Sequence, residues 1–317
     1  MPPAAEPEEL IEAARAGDRG ALARALSLVE RGGDGAHRAG RAAHRHAGTA
    51  YTVGVTGAPG AGKSTLTSSL VAHVRATGTR LAVLAIDPSS PYTGGAILGD
   101  RVRMGQHSLD DGVYIRSMAT RGHLGGLALA APEAIRVLDA AGYPWVIVET
   151  VGVGQVEVEV AGAADTTVVV VNPGWGDAVQ ANKAGLMEIA DVFVVNKADR
   201  DGARQTIRDL EGMLDLTTTG RWRPPVVAAV GTTGEGAAEL WDAIGAHRRS
   251  IEASGGLAER RRRRNRDELD LIVTKRLRAK VASLVDPDER AAMDAAVDAG
   301  RLDPWTAADR LLGPLDA

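Results

Sequence analysis

Cysteine is absent from the chain. That excludes a disulfide framework and thiolate metal sites, and it fits a reducing cytoplasm. Aromatic residues make up only 3%, so the core must be assembled from Ala, Val, Leu and Ile. Such a core suits a parallel sheet covered by helices. No apolar run approaches the ~18 residues that a membrane helix requires. The opening MPPAAEPEEL is acidic and proline-rich, not basic and then apolar, so no secretory signal is expected. A basic excess is missing as well: 37 Lys and Arg stand against 41 Asp and Glu, a formal net charge of −4. Nucleic-acid binding needs a basic footprint and is not favoured. What remains is an ordinary globular composition, 44% apolar over 317 residues, long enough for one or two domains.

Residues 1–48 read as an N-terminal helical extension. Leu10, Ile11, Ala14, Leu22, Leu26 and Val29 recur at helix spacing, and Gly32, Gly33 and Gly35 end the pattern. The stretch HRAGRAAHRH that follows holds His37, His44 and His46. It lacks the usual metal-ligand spacings and reads as a solvated basic helix or linker.

From Tyr51 the pattern changes to short, β-branched apolar runs: YTVGVTG, LAVLAID, VYIRS, WVIVET, TTVVVVN, VFVVNK and VVAAV. Helix-length segments separate most of them. Runs apolar on both faces, alternating with helices, indicate a buried, mostly parallel sheet of about seven strands in an α/β fold. Functional loops then belong at the carboxyl ends of those strands. This domain is expected over 49–254. After Gly255-Gly256, residues 255–317 form a C-terminal helical arm. Its arginine run, Arg260–Arg264, leads into an amphipathic pattern of Leu269, Ile272, Val273, Leu277 and Val281. The run suits either RNA or, more simply, a charged helix face or an acidic neighbour.

Gly57-Ala58-Pro59-Gly60-Ala61-Gly62-Lys63-Ser64 fits GxxxxGK[ST] in full, between a strand and a helix, and Thr65 follows. Glycines let the backbone wrap phosphates, and successive N–H groups with the helix N-terminus form an anion cradle. Lys63 supplies a point charge to the β/γ-phosphates, and Ser64 offers a hydroxyl to Mg²⁺. Mg²⁺ takes oxygen ligands, so carboxylates near the γ-phosphate are expected. Asp87 ends LAVLAID, Glu149 lies near the end of WVIVET, and Asp100 lies on the glycine-rich loop between them. Gly152 lets its N–H approach the γ-phosphate. Downstream, Asn196-Lys197-Ala198-Asp199 follows a strand. A carboxylate is acceptor-only and takes both the N1–H and the amino group of guanine. Adenine has neither donor there, so GTP/GDP is the expected ligand. GTPases often place Ser-Ala after the next strand, where this chain has Val230-Gly231. The Gly231 N–H is the candidate donor to guanine O6.

These segments resemble the bacterial MeaB family of methylmalonyl-CoA mutase-associated GTPases, related to the methylmalonic aciduria type A protein. The resemblance spans nearly the whole chain. It is carried by GAPGAGKST (57–65), IDPSSPYTGGAILGDRVRM (86–104), SMATRGHLGGL (117–127), VIVETVGVGQVEVEV (146–160), NPGWGDAVQANKAGLMEIAD (172–191) and NKAD (196–199). It implies a P-loop fold and a cytoplasmic homodimer joined through the C-terminal arm. It also implies a chaperone role toward an adenosylcobalamin-dependent acyl-CoA mutase, gating cofactor loading and protecting the mutase. Lys63, Asp87, Asp100 and Glu149 are the implied catalytic set, with Ser64, Asp100 and Glu149 around Mg²⁺. Switches are implied at roughly 87–104 and 149–160. A third spans Asn172–Lys183, with Asp177, Gln180 and Lys183 as its polar members. Tyr92 stands where the family often has arginine.

Two other readings of the same motifs are weaker. A nickel metallochaperone GTPase needs Cys/His clusters, and here there are no cysteines and seven scattered histidines. A GTP-binding scaffold without relevant hydrolysis leaves the acid cluster unexplained. Neither a nucleic-acid nor a membrane partner is expected.

Overall fold

Strands that carry Val, Ile or Thr on both faces are stable only when both faces are covered, and this chain supplies a helical layer for each. The computed structural model describes residues 5–87, 105–107, 109–119, 126–150, 162–175, 180–217 and 222–313. Seven strands are present: β1 Tyr51–Gly57, β2 Leu81–Asp87, β3 Val113–Ala119, β4 Trp145–Thr150, β5 Thr166–Val171, β6 Val192–Asn196 and β7 Val226–Ala229. They form one sheet in the order β3-β2-β4-β1-β5-β6-β7. Every pairing is parallel, as the apolar runs led us to expect. All carboxyl ends therefore lie along one edge. The chain leaves β1 for β2 on one side, whereas it leaves β4 for β5 on the other. That reversal makes the ends of β1 and β4 the switch point of the sheet, where ligands of open α/β sheets bind.

The helices of this unit are α1 Pro7–Arg15, α2 Arg19–Arg31, α3 Asp34–His44, α4 Lys63–Ala76, α5 Gly126–Ala140, α6 Gln180–Ile189, α7 Ala203–Thr217 and α8 Ala237–Ala253. Val53, Val55, Val83, Ile147, Val168 and Val194 pack against Leu66, Leu70, Leu240 and Ile244 of α4 and α8. On the opposite face, Leu84, Ile86, Val146 and Val148 meet α5 and the three N-terminal helices. Val169, Val171, Phe193 and Val195 meet α6 and α7.

The six N-terminal apolar positions singled out in the sequence are all buried. The basic stretch after them is not a solvated segment throughout. Most of it forms α3, whose Ala36, Ala39, Ala42 and Ala43 are buried. His46 lies 3.1 Å from the Glu12 carboxylate.

Contacts divide the chain into a unit up to Arg264 and a second from Asn265. Helix α9, Gly256–Leu284, belongs to both, and α10 Pro287–Asp298 and α11 Pro304–Leu312 follow. Asp286 and Asp303 cap α10 and α11 by accepting backbone N–H groups, each followed by a proline at the first helical position. Leu269, Val273, Leu277 and Trp305 of the second unit are exposed.

Candidate functional site

The phosphate loop is fixed by its glycines. At the end of β1, Gly57 has φ 134°, and a Cβ there would lie 2.0 Å from the Val170 carbonyl oxygen. Only glycine fits so close to a neighbouring strand. Gly62 has φ 86°, and a Cβ there would lie 2.4 Å from Asn196 Nδ2. Lys63 and Ser64 open α4, so the helix N-terminus faces the loop. The buried Lys63 folds over it, its Nζ donating to the carbonyls of Gly57 at 2.5 Å and Ala58 at 3.2 Å.

Ser64 Oγ donates to Glu149 Oε1 at 2.5 Å. The strand register makes that contact possible, because Glu149 pairs with Val55 of β1 and Ala85 of β2. Glu149 has no solvent exposure. Asp87 ends β2 at the same sheet edge, one position beyond the Ile86–Thr150 pair. Asp100, Gly152 and Asp177 lie outside the described residues, as does Tyr92. Gln180 and Lys183 fall in the first turn of α6.

The base loop is braced onto the phosphate loop. Asn196 Nδ2 donates to the Ala61 carbonyl at 2.7 Å, and its Oδ1 accepts the Gly231 N–H at 3.0 Å. Lys197 Nζ donates to the Gly60 carbonyl at 2.7 Å. Among the described residues, Lys197 is the one non-glycine with positive φ, at 59°. That geometry disfavours a side chain by about 1–2 kcal/mol, so the surrounding contacts must hold it. The Ala198 N–H donates to the Ala229 carbonyl at 3.0 Å. Asn196 and Lys197 thus bind protein, and the exposed Asp199 is left facing outward. The Gly231 N–H is committed to Asn196, and Thr232 comes next along the loop.

Sequence reasoning missed a second polar cluster, at the opposite edge of the sheet. Asp165 and Asp191 each stand one residue before a strand, β5 and β6, and both are buried. Asp165 Oδ2 accepts the Thr52 N–H at 3.0 Å and Asp191 Oδ2 the Thr167 N–H at 2.9 Å, so the carboxylates tie β5 to β1 and β6 to β5. Arg261 and Arg264 pair with Asp165 at 2.7 and 2.6 Å, and Arg260 grips Asp191 with both guanidinium ends at 2.7 and 2.8 Å. The arginine run therefore meets acidic neighbours. The signal available in the sequence was Ala-Asp ahead of each valine-rich run, at Ala164-Asp165 and Ala190-Asp191. Buried His247 sits between Thr166 Oγ1, 2.8 Å from its Nδ1, and Asp191 Oδ1, 3.2 Å from its Nε2. This Thr-His-Asp cluster is sealed in the core, with Thr166 and His247 fully buried and no hydrogen bond to His247 Nε2 among the described residues. It has no access for a substrate.

Burial pushes both carboxyls toward protonation. Arg261 and Arg264 outweigh that push at Asp165, as His247 and Arg260 do at Asp191, and hold both below the ordinary aspartate range. Depression of this sign stabilises the fold above the unfolded-state value of about 3.9 and is lost as pH falls through the folded-state values. Acid unfolding is accordingly expected below about pH 4. Arg264→Ala should move that transition upward in pH, as read by circular dichroism. An unchanged acid transition would contradict this account of the cluster.

Among known proteins, the family model described as methylmalonyl Co-A mutase-associated GTPase MeaB matches residues 22–286. A Pyrococcus abyssi chain that carries a GTPase name is 51% identical over 309 residues, covering 96% of this chain and 95% of its own. The Escherichia coli GTPase ArgK is 39% identical, covering 81% of this chain and 80% of its own. The mouse protein named methylmalonic aciduria type A homolog, mitochondrial, is 37% identical, covering 83% of this chain and 65% of its own. A crystal structure described as that of an LAO/AO transport system kinase superposes with a TM-score of 0.73 at 27% identity, covering 100% of both chains.

Proposed function

The chain belongs to the MeaB family of methylmalonyl-CoA mutase-associated GTPases, and from that premise we propose that it is a Mg²⁺-dependent GTPase. In this reading it hydrolyses GTP to GDP and phosphate in the cytoplasm, as a chaperone for an adenosylcobalamin-dependent acyl-CoA mutase. The observation that carries the nucleotide reading is the brace from Asn196 and Lys197 to Ala61 and Gly60. It joins the anion cradle and the exposed Asp199 into one rigid edge, which suits a ligand with phosphates at one end and guanine at the other.

Within this reading, Lys63 leaves its two carbonyl partners to meet the β/γ-phosphates. The backbone N–H groups of residues 57–65, except at Pro59, which has none, line the phosphate path, and Gly152 adds a donor at the γ end. Asp199 takes the two guanine donors. The Gly231 N–H is occupied, so the neighbouring Thr232 N–H is assigned to O6. The Ser64 hydroxyl and Glu149 carboxylate, 2.5 Å apart in a buried oxygen-donor setting, fit Mg²⁺. Ser64, Glu149 and Asp100 would hold it, and Ser64 would then give up its bond to Glu149. Bound there, Mg²⁺ would supply positive charge against the charge that builds on the phosphates during hydrolysis. Water attacks the γ-phosphorus and the bond to the β-phosphate oxygen breaks. Asp87, at the end of β2, is assigned to orient that water.

The partner reading makes Asn172–Lys183 the segment that carries nucleotide state to the mutase. Coupling needs contacts that differ between the GTP and GDP states. Lys183→Ala and Gln180→Ala should leave GTP affinity nearly intact and abolish most of the stimulation of hydrolysis by the cognate mutase. Equal stimulation of wild type and both variants would remove this segment from the mechanism. The exposed Leu269, Val273 and Leu277 on one stripe of α9 support a homodimer through the C-terminal arm, because such a stripe needs a covering surface. Light scattering at micromolar concentration should return twice the 33.0 kDa chain mass. A monomer would refute the dimer.

A further inference from the structure

Neither the phosphate site nor the base site uses the arginine run, yet three of its members grip two buried aspartates. The two acids anchor different strands in the same way, each through its carboxylate and its own N–H. Asp165 ties the start of β5 to Thr52 of β1. Asp191 ties the start of β6 to Thr167 of β5, through its carboxylate and through its own N–H, which donates to the Thr167 carbonyl at 2.9 Å. Strand β6 is short, Val192–Asn196, and every residue in it is buried. Val192–Val195 are apolar, so along its length only ladder hydrogen bonds and packing resist sliding. Side-chain anchoring exists at its two ends alone: Asp191 at one and Asn196, bonded to Ala61 and Gly231, at the other. About 16 Å of extended backbone separates them.

We propose that Arg260 is a positioning residue for the guanine-reading loop. Its two-point grip keeps the buried Asp191 carboxylate ionised and turned toward the Thr167 N–H. That fixes the register in which β6 delivers Asn196–Asp199 to the phosphate loop. The proposal rests on reading Asp199 as the guanine acceptor. Without Arg260, the carboxylate keeps His247 at 3.2 Å but loses its two-point partner, and its bond to Thr167 loosens. A taut five-residue strand passes that slack to its far end. Arg261 holds Asp165 and the carbonyls of Gly48 and Ala50, so it serves β5 and the entry to β1 and makes no bond at the start of β6. Linkage is reciprocal: guanine nucleotide at one end of β6 must tighten Asp191 at the other.

The test compares full-length Arg260→Ala, Arg260→Lys, Arg261→Ala and Asp199→Asn at a temperature where circular dichroism shows each folded. Affinity for fluorescent GDP and hydrogen exchange over residues 190–199 are read together. Arg260→Ala should weaken GDP binding by about 10-fold, within the usual span of coupling between sites, and speed exchange from Val192 to Asp199. Arg260→Lys keeps the charge without the fork and should recover part of the affinity, which also covers an alanine variant that fails to fold. Arg261→Ala should hold GDP affinity within about 2-fold of wild type, below the usual coupling span, even if its melting temperature falls as far. GDP affinity that follows melting temperature alike in the Arg260 and Arg261 variants would reduce the contact to general stability and overturn the proposal. If Asp199→Asn turns preference toward xanthosine nucleotides while Arg260→Ala binds GDP as wild type does, the clamp fails and the base reading stands. If Asp199→Asn keeps full guanine preference, the base reading fails and takes the clamp with it.

Discussion

Lys63→Ala is expected to weaken GTP binding by roughly 30- to 700-fold, corresponding to about 2–4 kcal/mol for a charge-assisted contact in a partly dehydrated phosphate site. The geometry explains why no other group can compensate. Lys63 is buried at the first turn of α4, with Nζ already drawn over the loop by the Gly57 and Ala58 carbonyls. Replacing those two neutral acceptors by anionic phosphate oxygens exchanges hydrogen bonds charged on the donor alone for bonds charged on both sides, and that difference is the gain in affinity. The nearest other ammonium group on the loop, Lys197, is engaged on Gly60 from the base side, where its departure would release the loop it braces. Calorimetry is the measurement. Unchanged GTP affinity in the variant would sink the phosphate-site assignment. A fall in melting temperature without a fall in affinity would mean that Lys63 only staples the loop.

The sheet and the phosphate loop were legible in the sequence for physical reasons. Strands covered on both faces need continuous β-branched runs, and a loop pressed against Val170 of β5 and the Asn196 side chain, with no room for a Cβ, needs glycine at 57 and 62. Both demands act on residue type at adjacent positions, where a linear reading can see them. The third N-terminal helix was obscured because alanine builds its buried face, and alanine contrasts too weakly with polar neighbours to mark a stripe. The Asp165 and Asp191 clamps were hidden for a different reason. Their arginines lie 96 and 69 residues away, and nothing local distinguishes a buried aspartate before a strand from an exposed one in a turn. The Gly231 contact could not be read at all. A backbone N–H exists at every residue but proline, and only the fold shows that this one is committed to Asn196.

Asp199→Asn carries the other large effect, a change of base. Asp199 is exposed on a loop whose backbone is pinned by the Ala198 N–H on the Ala229 carbonyl and by Asn196 on two further loops. The substitution therefore changes chemistry without moving the backbone. A carboxylate accepts both the N1–H and the amino group of guanine. An asparagine amide still accepts the N1–H through its oxygen, but its NH₂ then faces the guanine amino group, donor against donor. Xanthine carries a carbonyl at that position, so the same NH₂ finds an acceptor. Sites built to pair a polar group discriminate on the order of 10⁴-fold against an analogue that leaves it unpaired, and the variant should lose GTP preference and gain xanthosine triphosphate on that scale. Adenine lacks both donors, so ATP should bind poorly to either form. Competition of GTP and xanthosine triphosphate for a fluorescent nucleotide, measured on both proteins, gives the ratio directly. A variant that keeps full guanine preference would show that Asp199 does not read the base, and the exposed edge beside Lys197 would then need another ligand.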